Sequence, residues 1–246
     1  MNRQVGSETT FTSPSALVSS LLELVRERRA IVAIAGPPGA GKSTFAERLR
    51  DALDARAPGT VEMLPGDGYH FDDLLLNARG WRPRKGAPHT FDVGGLRAML
   101  ERLRANGEDE IAAPVFDRSI EIARAGARVI PRSVSLVLVE GNYLLLDRAP
   151  WTSLSPLFDA TIMLVAPLET LRQRLLERWM EIGLSGADLT AKMEENDLRN
   201  VATVLEASRA ADHLVDATLA WTIDADRATD LQEPANRPAA GSRGRG

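Results

Sequence analysis

The sequence predicts an α/β fold in which a mostly parallel central sheet is flanked by helices. Two short runs, Ile31–Ala35 and Val134–Val139, are dominated by branched apolar residues, as is typical of strands buried in a parallel sheet. Segments with apolar residues at helical spacing follow in the chain, first over residues 44–53. Strands that alternate with helices produce this class of fold.

A glycine-rich stretch lies between the first predicted strand and the first of these helices. Its sequence, Gly36-Pro37-Pro38-Gly39-Ala40-Gly41-Lys42-Ser43, matches the Walker A pattern G-x-x-x-x-G-K-[ST]. Backbone N–H groups converge on phosphate oxygens in such a loop, so its glycine positions must stay small. We expect the loop and Thr44 to bind a nucleoside triphosphate, with Lys42 at the outer phosphates and the Ser43 hydroxyl on Mg²⁺. The sequence therefore predicts a P-loop NTPase fold.

Length and composition limit the possible classes of protein. The chain has 246 residues, a net charge of −4 and no cysteine, which excludes disulfides, thiolate metal sites and a cysteine nucleophile. No apolar run is long enough for a membrane span, and the polar start does not resemble a secretory signal. We expect a cytoplasmic protein with one domain over residues 14–224, a disordered start at 1–13 and a disordered tail at 225–246.

Two acidic residues follow predicted strands. Asp67 lies within Gly66-Asp67-Gly68-Tyr69-His70, after a strand predicted over 60–64, and Glu140 follows the run that ends at Val139. Open α/β sheets bind their ligands at the carboxyl ends of the strands. We expect Glu140 to hold Mg²⁺ or its water and Asp67 to handle the ligand. The alternatives are that Asp67 only shapes a turn and that Glu140 faces solvent.

Basic residues occur in two places that suit a phosphate ligand. Arg174 and Arg178 share one face of a helix predicted after Pro167, which suits a helical lid over about 168–186 that closes on transferring phosphates. Gly80–Gly86 is a basic loop that includes Lys85. Both sets of charges have the alternative interpretation of a solvated surface.

The remaining patterns predict further elements. They are helices from Pro14, from Asp92 to Asn106 and from Ala187 to Ala211, a hairpin of strands at Ile111–Phe116 and Ala127–Ile130 around Asp117-Arg118-Ser119, a strand at Ala160–Val165, and a final pair at His213–Val215 and Leu219–Ile223.

Taken in order, the Walker A loop, Asp67, Glu140 and the arginine helix resemble those of the phosphoribulokinase/uridine kinase superfamily of P-loop kinases. The resemblance runs from about residue 30 to 215 and is greatest to bacterial type I pantothenate kinases and to related small kinases, some labelled fructose kinases. Further matching landmarks are Lys85-Gly86, Phe91-Asp92, Pro114-Val115-Phe116-Asp117, Val139-Glu140-Gly141 and Arg174–Trp179.

The resemblance implies an ATP- and Mg²⁺-dependent kinase. Asp67 would take or orient the proton of the attacking hydroxyl, Lys42 and Arg178 would stabilise charge on the γ-phosphoryl group, and Ser43 with Glu140 would serve Mg²⁺. It also implies that Arg174 contacts the nucleotide. The implied substrate contacts are Tyr69, His70, Lys85, Arg118 and Asn196.

The chain differs from these kinase families in residues that are expected to contact the phosphate acceptor. Pantothenate kinases have a histidine where this chain has Arg118, and uridine kinases carry an Asp-Ser-Phe-Tyr type segment in place of residues 67–70. Arg118 favours an anionic or richly hydroxylated acceptor, such as a sugar, a pantothenate-like acid or a nucleoside.

The expected partner is therefore a small-molecule substrate, with no nucleic acid and no membrane, and we consider a homodimer as the assembly. The alternatives are a nucleoside monophosphate kinase and a regulatory NTPase that acts on a protein. The chain lacks the Asn-Lys-x-Asp segment of a regulatory GTPase.

Overall fold

The computed structural model describes residues 10–25 and 28–219. Its strands are β1 (Ala30–Ala35), β2 (Val61–Pro65), β3 (Glu110–Asp117), β4 (Ile122–Pro131), β5 (Leu136–Gly141), β6 (Ala160–Val165) and β7 (His213–Asp216). Its α-helices are α1 (Pro14–Leu22), α2 (Lys42–Asp54), α3 (Asp73–Ala78), α4 (Val93–Ala105), α5 (Leu168–Glu181), α6 (Gly186–Thr190) and α7 (Leu198–Ala207).

A five-stranded parallel sheet in the order β2-β5-β1-β6-β7 forms the centre of the molecule. All residues of β1 and β5 are buried, because helices cover both faces of the sheet. One apolar core includes residues of α1, α2 and α5, and the other includes residues of α4 and a 3₁₀ segment at Trp151–Leu157. This architecture confirms the predicted α/β fold with a mostly parallel sheet.

The register of the sheet brings three chain segments to one edge. Ile34 of β1 and Pro65 of β2 both lie beside Glu140 of β5. The glycine-rich loop after β1 and the turn after β2 therefore begin on either side of the Glu140 backbone.

The antiparallel hairpin of β3 and β4 is separate from the main sheet. Its second strand is longer than the sequence indicated, since β4 begins at Ile122 and only the part around Ala127–Ile130 carried a strand pattern. The tip of the hairpin is the four-residue turn at 118–121, in which Glu121 adopts a positive φ of 56°. The hairpin packs on the turn after β2.

Most of the remaining predicted elements are present. The helix expected over 187–211 consists of α6, a π-helical segment at Ala191–Asp197, and α7. The strand at His213–Val215 is β7, which pairs in parallel with β6, whereas most of its expected partner, Leu219–Ile223, lies outside the described residues. The expected tail at 225–246 and residues 1–9 of the expected disordered start also lie outside them. Within the described part of the chain, no helix has both the length and the apolar character of a membrane span.

Candidate active site

The loop between β1 and α2 has the backbone shape of an anion cradle. Gly39 and Gly41 adopt φ values of 83° and 78°, a left-handed conformation in which a side chain is strained. Gly36 lies close to β6, because an added Cβ would be 3.1 Å from the Leu164 Cβ. The α2 helix begins at Lys42, immediately after the loop. The N–H groups and the positive end of this helix are therefore available to phosphate oxygens.

Lys42 lies at the floor of this cradle, where its side chain is buried. The Lys42 Nζ donates to the Pro37 carbonyl oxygen at 3.1 Å, within the loop itself. Burial lowers the pKa of the Lys42 ammonium, while the nearby carboxylates of Glu140 and Asp67 act in the opposite direction. A desolvated cation in an anion cradle is suited to hold phosphate charge.

Glu140 and Ser43 form an oxygen pair beside the lysine. The Ser43 hydroxyl donates to the Glu140 Oε1 at 3.3 Å, and Glu140 is only 5% exposed. Burial raises the pKa of the Glu140 carboxyl to about 7, and the negative charge of Asp67 adds to this effect. A cation that binds beside a buried carboxylate close to a second carboxylate stabilises its charged form.

The turn after β2 divides its side chains between the pocket and the core. Gly66–Tyr69 is a 3₁₀ turn, in which residues three apart share a face. Asp67 and His70 consequently both line the pocket. The ring of His70 lies between Phe91 and Phe116, at 4.0 and 4.9 Å between centroids, and its burial lowers the pKa of the imidazole.

Tyr69 points away from the pocket, in contrast to the expectation that it contacts the substrate. Its side chain is 8% exposed and packs in the core that includes α4. Burial raises the pKa of the Tyr69 phenol. The 3₁₀ geometry of the turn explains this placement, because it puts Tyr69 on a different face from Asp67 and His70.

Arg118 reaches the pocket from the tip of the hairpin. Its Nη2 donates to the Asp67 Oδ2 at 2.8 Å, and its side chain is 53% exposed. Lys85 lies deeper, with its Nζ donating to Asp73 Oδ1 at 2.8 Å and to the Glu121 carbonyl oxygen at 2.7 Å. Both residues line the pocket, as the sequence predicts.

Asn196 lies behind the pocket wall and does not line it. It is 2% exposed, and its Nδ2 donates to the Lys85 carbonyl oxygen at 3.0 Å. The Asn196 Oδ1 accepts from the amide of Asn200, which does line the pocket. Asn196 therefore positions the loop that carries Lys85 and is not placed to contact a substrate directly.

The α5 helix closes the opposite side of the pocket with its two arginines. Arg174 donates to the carbonyl oxygens of Gly39 and Ala217 at 3.4 and 2.9 Å. Arg178 has its guanidinium 5.2 Å from the Trp179 ring centroid, and burial lowers the pKa of this group. Trp179 Nε1 donates to Asp197 Oδ2 at 2.5 Å, which connects α5 to the π-helical segment.

The cavity that these groups enclose measures about 680 Å³. Its wall includes predicted residues from the glycine-rich loop, the β2 turn, β5, the hairpin and α5, namely Pro38, Gly39, Gly41, Lys42, Ser43, Thr44, Asp67, His70, Lys85, Arg118, Glu140, Arg174 and Arg178. Polar residues of the wall that the sequence did not predict include Glu121, Asn142, Lys192, Asp197 and Asn200. Asn142 follows Glu140-Gly141 at the end of β5, so its position at a strand end was the available signal.

Gly36, Pro37 and Ala40 belong to the loop but not to the wall of this cavity. A Walker A loop, a carboxylate on the adjacent turn and arginines on the facing helix together define the class of P-loop phosphotransferases.

Known proteins agree with this class. The chain is 37% identical over 205 residues to the uncharacterized protein YggC of Escherichia coli strain K12, and the aligned region covers 82% of this chain and 84% of YggC. It is 33% identical over 160 residues to a pantothenate kinase of Myxococcus xanthus, of which it spans only half. The crystal structure of a protein provisionally named a fructose transport system kinase, from Silicibacter sp. TM1040, superposes with a TM-score of 0.77 at 37% identity, over 83% of this chain and 98% of that one. No protein-family profile matches the chain.

The chain belongs to the phosphoribulokinase/uridine kinase superfamily of P-loop kinases, and it is a small-molecule kinase. This finding confirms the resemblance that the order of its motifs indicated.

Proposed function

We propose that the protein is an ATP- and Mg²⁺-dependent kinase that transfers the γ-phosphoryl group of ATP to a hydroxyl of a small polar metabolite. The observation that carries this proposal is the position of Asp67, which lines the same cavity as Lys42 and Glu140. Asp67 comes close enough to both for its charge to act on their pKa values. A carboxylate so near the phosphate cradle suits a base for an attacking hydroxyl.

These positions support the following reaction. The acceptor hydroxyl donates to Asp67 while its oxygen attacks the γ-phosphorus. The bond between the γ-phosphorus and the bridging oxygen breaks, its electron pair leaves with ADP, and the hydroxyl proton passes to Asp67. Lys42 and Arg178 stabilise the charge on the transferring group, which is the main form of catalysis in phosphoryl transfer.

The residues present fit a magnesium ion. Among the described residues, no group of three or more histidine, aspartate and glutamate side chains could hold a metal ion. Mg²⁺ in kinases, however, is usually bound through one or two protein oxygens together with substrate phosphates and water. The paired oxygens of Ser43 and Glu140 supply such a set. When bound, the ion would neutralise charge on the β- and γ-phosphates.

A second cavity supports the placement of the nucleoside half of ATP. It measures about 360 Å³ and shares Gly41, Thr44 and Arg174 with the main cavity. Phe45 and Leu164 contribute apolar surface to its wall. A flat aromatic base next to a phosphate cradle requires this combination of apolar wall and adjoining glycine loop.

The acceptor lies, in this proposal, on the side of Asp67 that faces His70, Lys85 and Arg118. Relatives of the chain include proteins named pantothenate kinase and one provisionally named a fructose transport system kinase. Both names support a hydroxylated metabolite as the acceptor, such as a sugar or a pantothenate-like acid. We further propose that residues 14–224 form one kinase domain with a lid at about 168–186, and that the enzyme acts in the cytoplasm as a homodimer.

The decisive experiment replaces the proposed base. Acceptors are first found by screening hydroxylated metabolites and nucleoside monophosphates for ATP-dependent phosphorylation. Asp67→Asn then lowers kcat for the acceptor about 10²- to 10⁴-fold, while the affinity for an ATP analogue stays within about threefold of wild type. Asp188→Asn, at an exposed position on α6, is the matched control. Undiminished transfer by Asp67→Asn would disprove the assignment, and transfer to a monophosphate alone would identify a nucleoside monophosphate kinase.

A further inference from the structure

The ion pair between Arg118 and Asp67 implies more than a substrate contact, and the inference rests on the kinase function proposed above. We propose that Arg118 recognises a carboxylate on the acceptor, so that the acceptor is a polyhydroxylated acid. Until that carboxylate binds, Arg118 forms an ion pair with Asp67, the proposed base. Arg118 thereby restrains attack by water on ATP when no acceptor is bound.

The pair is direct and its arginine can move. Arg118 Nη2 lies 2.8 Å from Asp67 Oδ2. The Arg118 side chain is 53% exposed, whereas that of Asp67 is 24% exposed. The guanidinium therefore sits on the solvent side of the carboxylate, where it covers the approach to one of the two Asp67 oxygens.

The turn that carries Arg118 is held in place. The Asp117 Oδ1 accepts from the Ser119 N–H at 3.0 Å and from the Ser119 hydroxyl at 2.6 Å. At the other end of the turn, the Glu121 carbonyl oxygen accepts from Lys85 Nζ. Because the backbone is held on both sides of Arg118, its guanidinium can change partner without rearrangement of the hairpin.

Three other cations in the pocket wall are paired with carboxylates that take no part in the transfer. Lys85 and Arg82 both pair with Asp73, and Lys192 pairs with Asp197. Arg118 differs because its partner is the group that must accept the hydroxyl proton. A carboxylate oxygen that accepts from a guanidinium has less capacity to accept from an alcohol. The transfer itself therefore requires that this pair open.

A carboxylate on the acceptor can replace Asp67 as the partner of the Arg118 guanidinium. The guanidinium leaves the Asp67 carboxylate for the acceptor carboxylate, so one charged hydrogen bond replaces another. A phosphate group fits less well, because it would bring further negative charge towards Asp67, Glu121 and Glu140. The acceptor hydroxyl can then donate to the freed Asp67 oxygen, and the transfer proceeds as described above.

The first test needs no acceptor. ATP hydrolysis by the full chain with Mg²⁺ is measured for wild type, Arg118→Gln and Arg124→Gln. Arg124 is the matched control, because it pairs with Asp117 at 2.8 Å on the same hairpin and is not part of the pocket wall. Arg118→Gln raises hydrolysis about three- to tenfold, as expected for loss of one partly exposed ion pair, and Arg124→Gln leaves it unchanged. An unchanged or lower rate in Arg118→Gln overturns the inference.

A double variant shows whether the effect acts through the base. In the Asp67→Asn background, Arg118→Gln no longer raises hydrolysis, because the group that it releases is absent. A rise that persists in this background overturns the inference. The kinase proposal is judged separately, since it depends on the loss of acceptor phosphorylation in Asp67→Asn alone.

The second test addresses the acceptor class. Binding of matched pairs, D-gluconate with D-glucitol and pantothenate with pantothenol, is followed by thermal shift with Mg²⁺ and a non-hydrolysable ATP analogue. The acid of a pair binds wild type about 10- to 100-fold more tightly than its alcohol. Arg118→Gln removes that preference and Arg118→Lys restores part of it. Equal dependence of acids and alcohols on Arg118 overturns the carboxylate assignment.

Discussion

The close approach of Gly68 to the hairpin makes a quantitative prediction about how the base is positioned. A Cβ added at Gly68 would lie 2.6 Å from the Pro114 carbonyl oxygen and 2.9 Å from its carbonyl carbon. Both are backbone atoms of β3, so no side chain can rotate away. A carbon–oxygen contact normally needs at least about 3.3 Å. Gly68→Ala must therefore displace the turn, including Asp67, by roughly 0.7 Å.

This displacement has two measurable consequences. Overpacking of this kind costs about 1–3 kcal/mol in the free energy of unfolding. A shift of about 1 Å in a reacting group can lower the rate about 10²-fold, so we expect kcat for the acceptor to fall about 10- to 100-fold. Urea denaturation gives the first quantity, and steady-state kinetics at saturating ATP gives the second.

Gly107 supplies the matched control. It follows α4, and an added Cβ there would meet no atom within 4 Å. Gly107→Ala is expected to change the free energy of unfolding by no more than about 0.5 kcal/mol and to leave kcat unchanged. If Gly68→Ala matches Gly107→Ala in both stability and rate, the hairpin does not fix the position of Asp67 and the reasoning fails.

Two further predictions concern buried carboxylates. Because burial and Asp67 raise the pKa of Glu140 to about 7, the folded state keeps this proton between about pH 4.5 and 7 while the unfolded state releases it. Without Mg²⁺ and nucleotide, the free energy of unfolding of wild type therefore falls as the pH rises through this window. Glu140→Gln does not show this fall and is roughly 1–3 kcal/mol more stable than wild type at neutral pH. The same dependence of the free energy of unfolding on pH in both proteins would contradict this prediction. Asp197→Ala, which leaves Trp179 Nε1 and Lys192 without their shared partner, lowers the free energy of unfolding by about 1–3 kcal/mol in urea. The control is Glu194→Ala, which removes the exposed pair of Arg172 with Glu194 and lowers the free energy of unfolding by less than about 1 kcal/mol. If Asp197→Ala and Glu194→Ala lower it equally, burial does not strengthen the Asp197 contacts.

The sequence predicted the sheet because its strands are short, apolar and buried on both faces. It also predicted the strand-end acids, since parallel strands put their carboxyl ends on one edge. Glu140 lies beside Ile34 and Pro65 in the sheet register, which is a direct consequence of that rule. The Walker A pattern specified its own backbone, including the left-handed Gly39 and Gly41.

Side chains on irregular segments were harder to place. The sequence does not show that Gly66–Tyr69 forms a 3₁₀ turn, and that geometry decides that His70 faces the pocket and Tyr69 the core. The π-helical segment similarly puts Asn196 against the Lys85 carbonyl oxygen. Glu121 enters the wall from a turn with positive φ, for which no periodic pattern exists.

This difference explains why the reaction is easier to infer than the acceptor. The phosphate cradle is built from the Walker A loop after β1, the end of β5 and one face of α5, and the geometry of each follows from local sequence. The proposed acceptor side is built from residues inserted between β2 and β5, including Asp67, Lys85 and Arg118. Its shape depends on contacts between irregular segments, such as that of Lys85 with Glu121. Within the described chain, the hairpin supplies the one cation that contacts the proposed base. Substitutions at the tip of the hairpin would therefore change the specificity for the acceptor while the phosphate cradle stays intact.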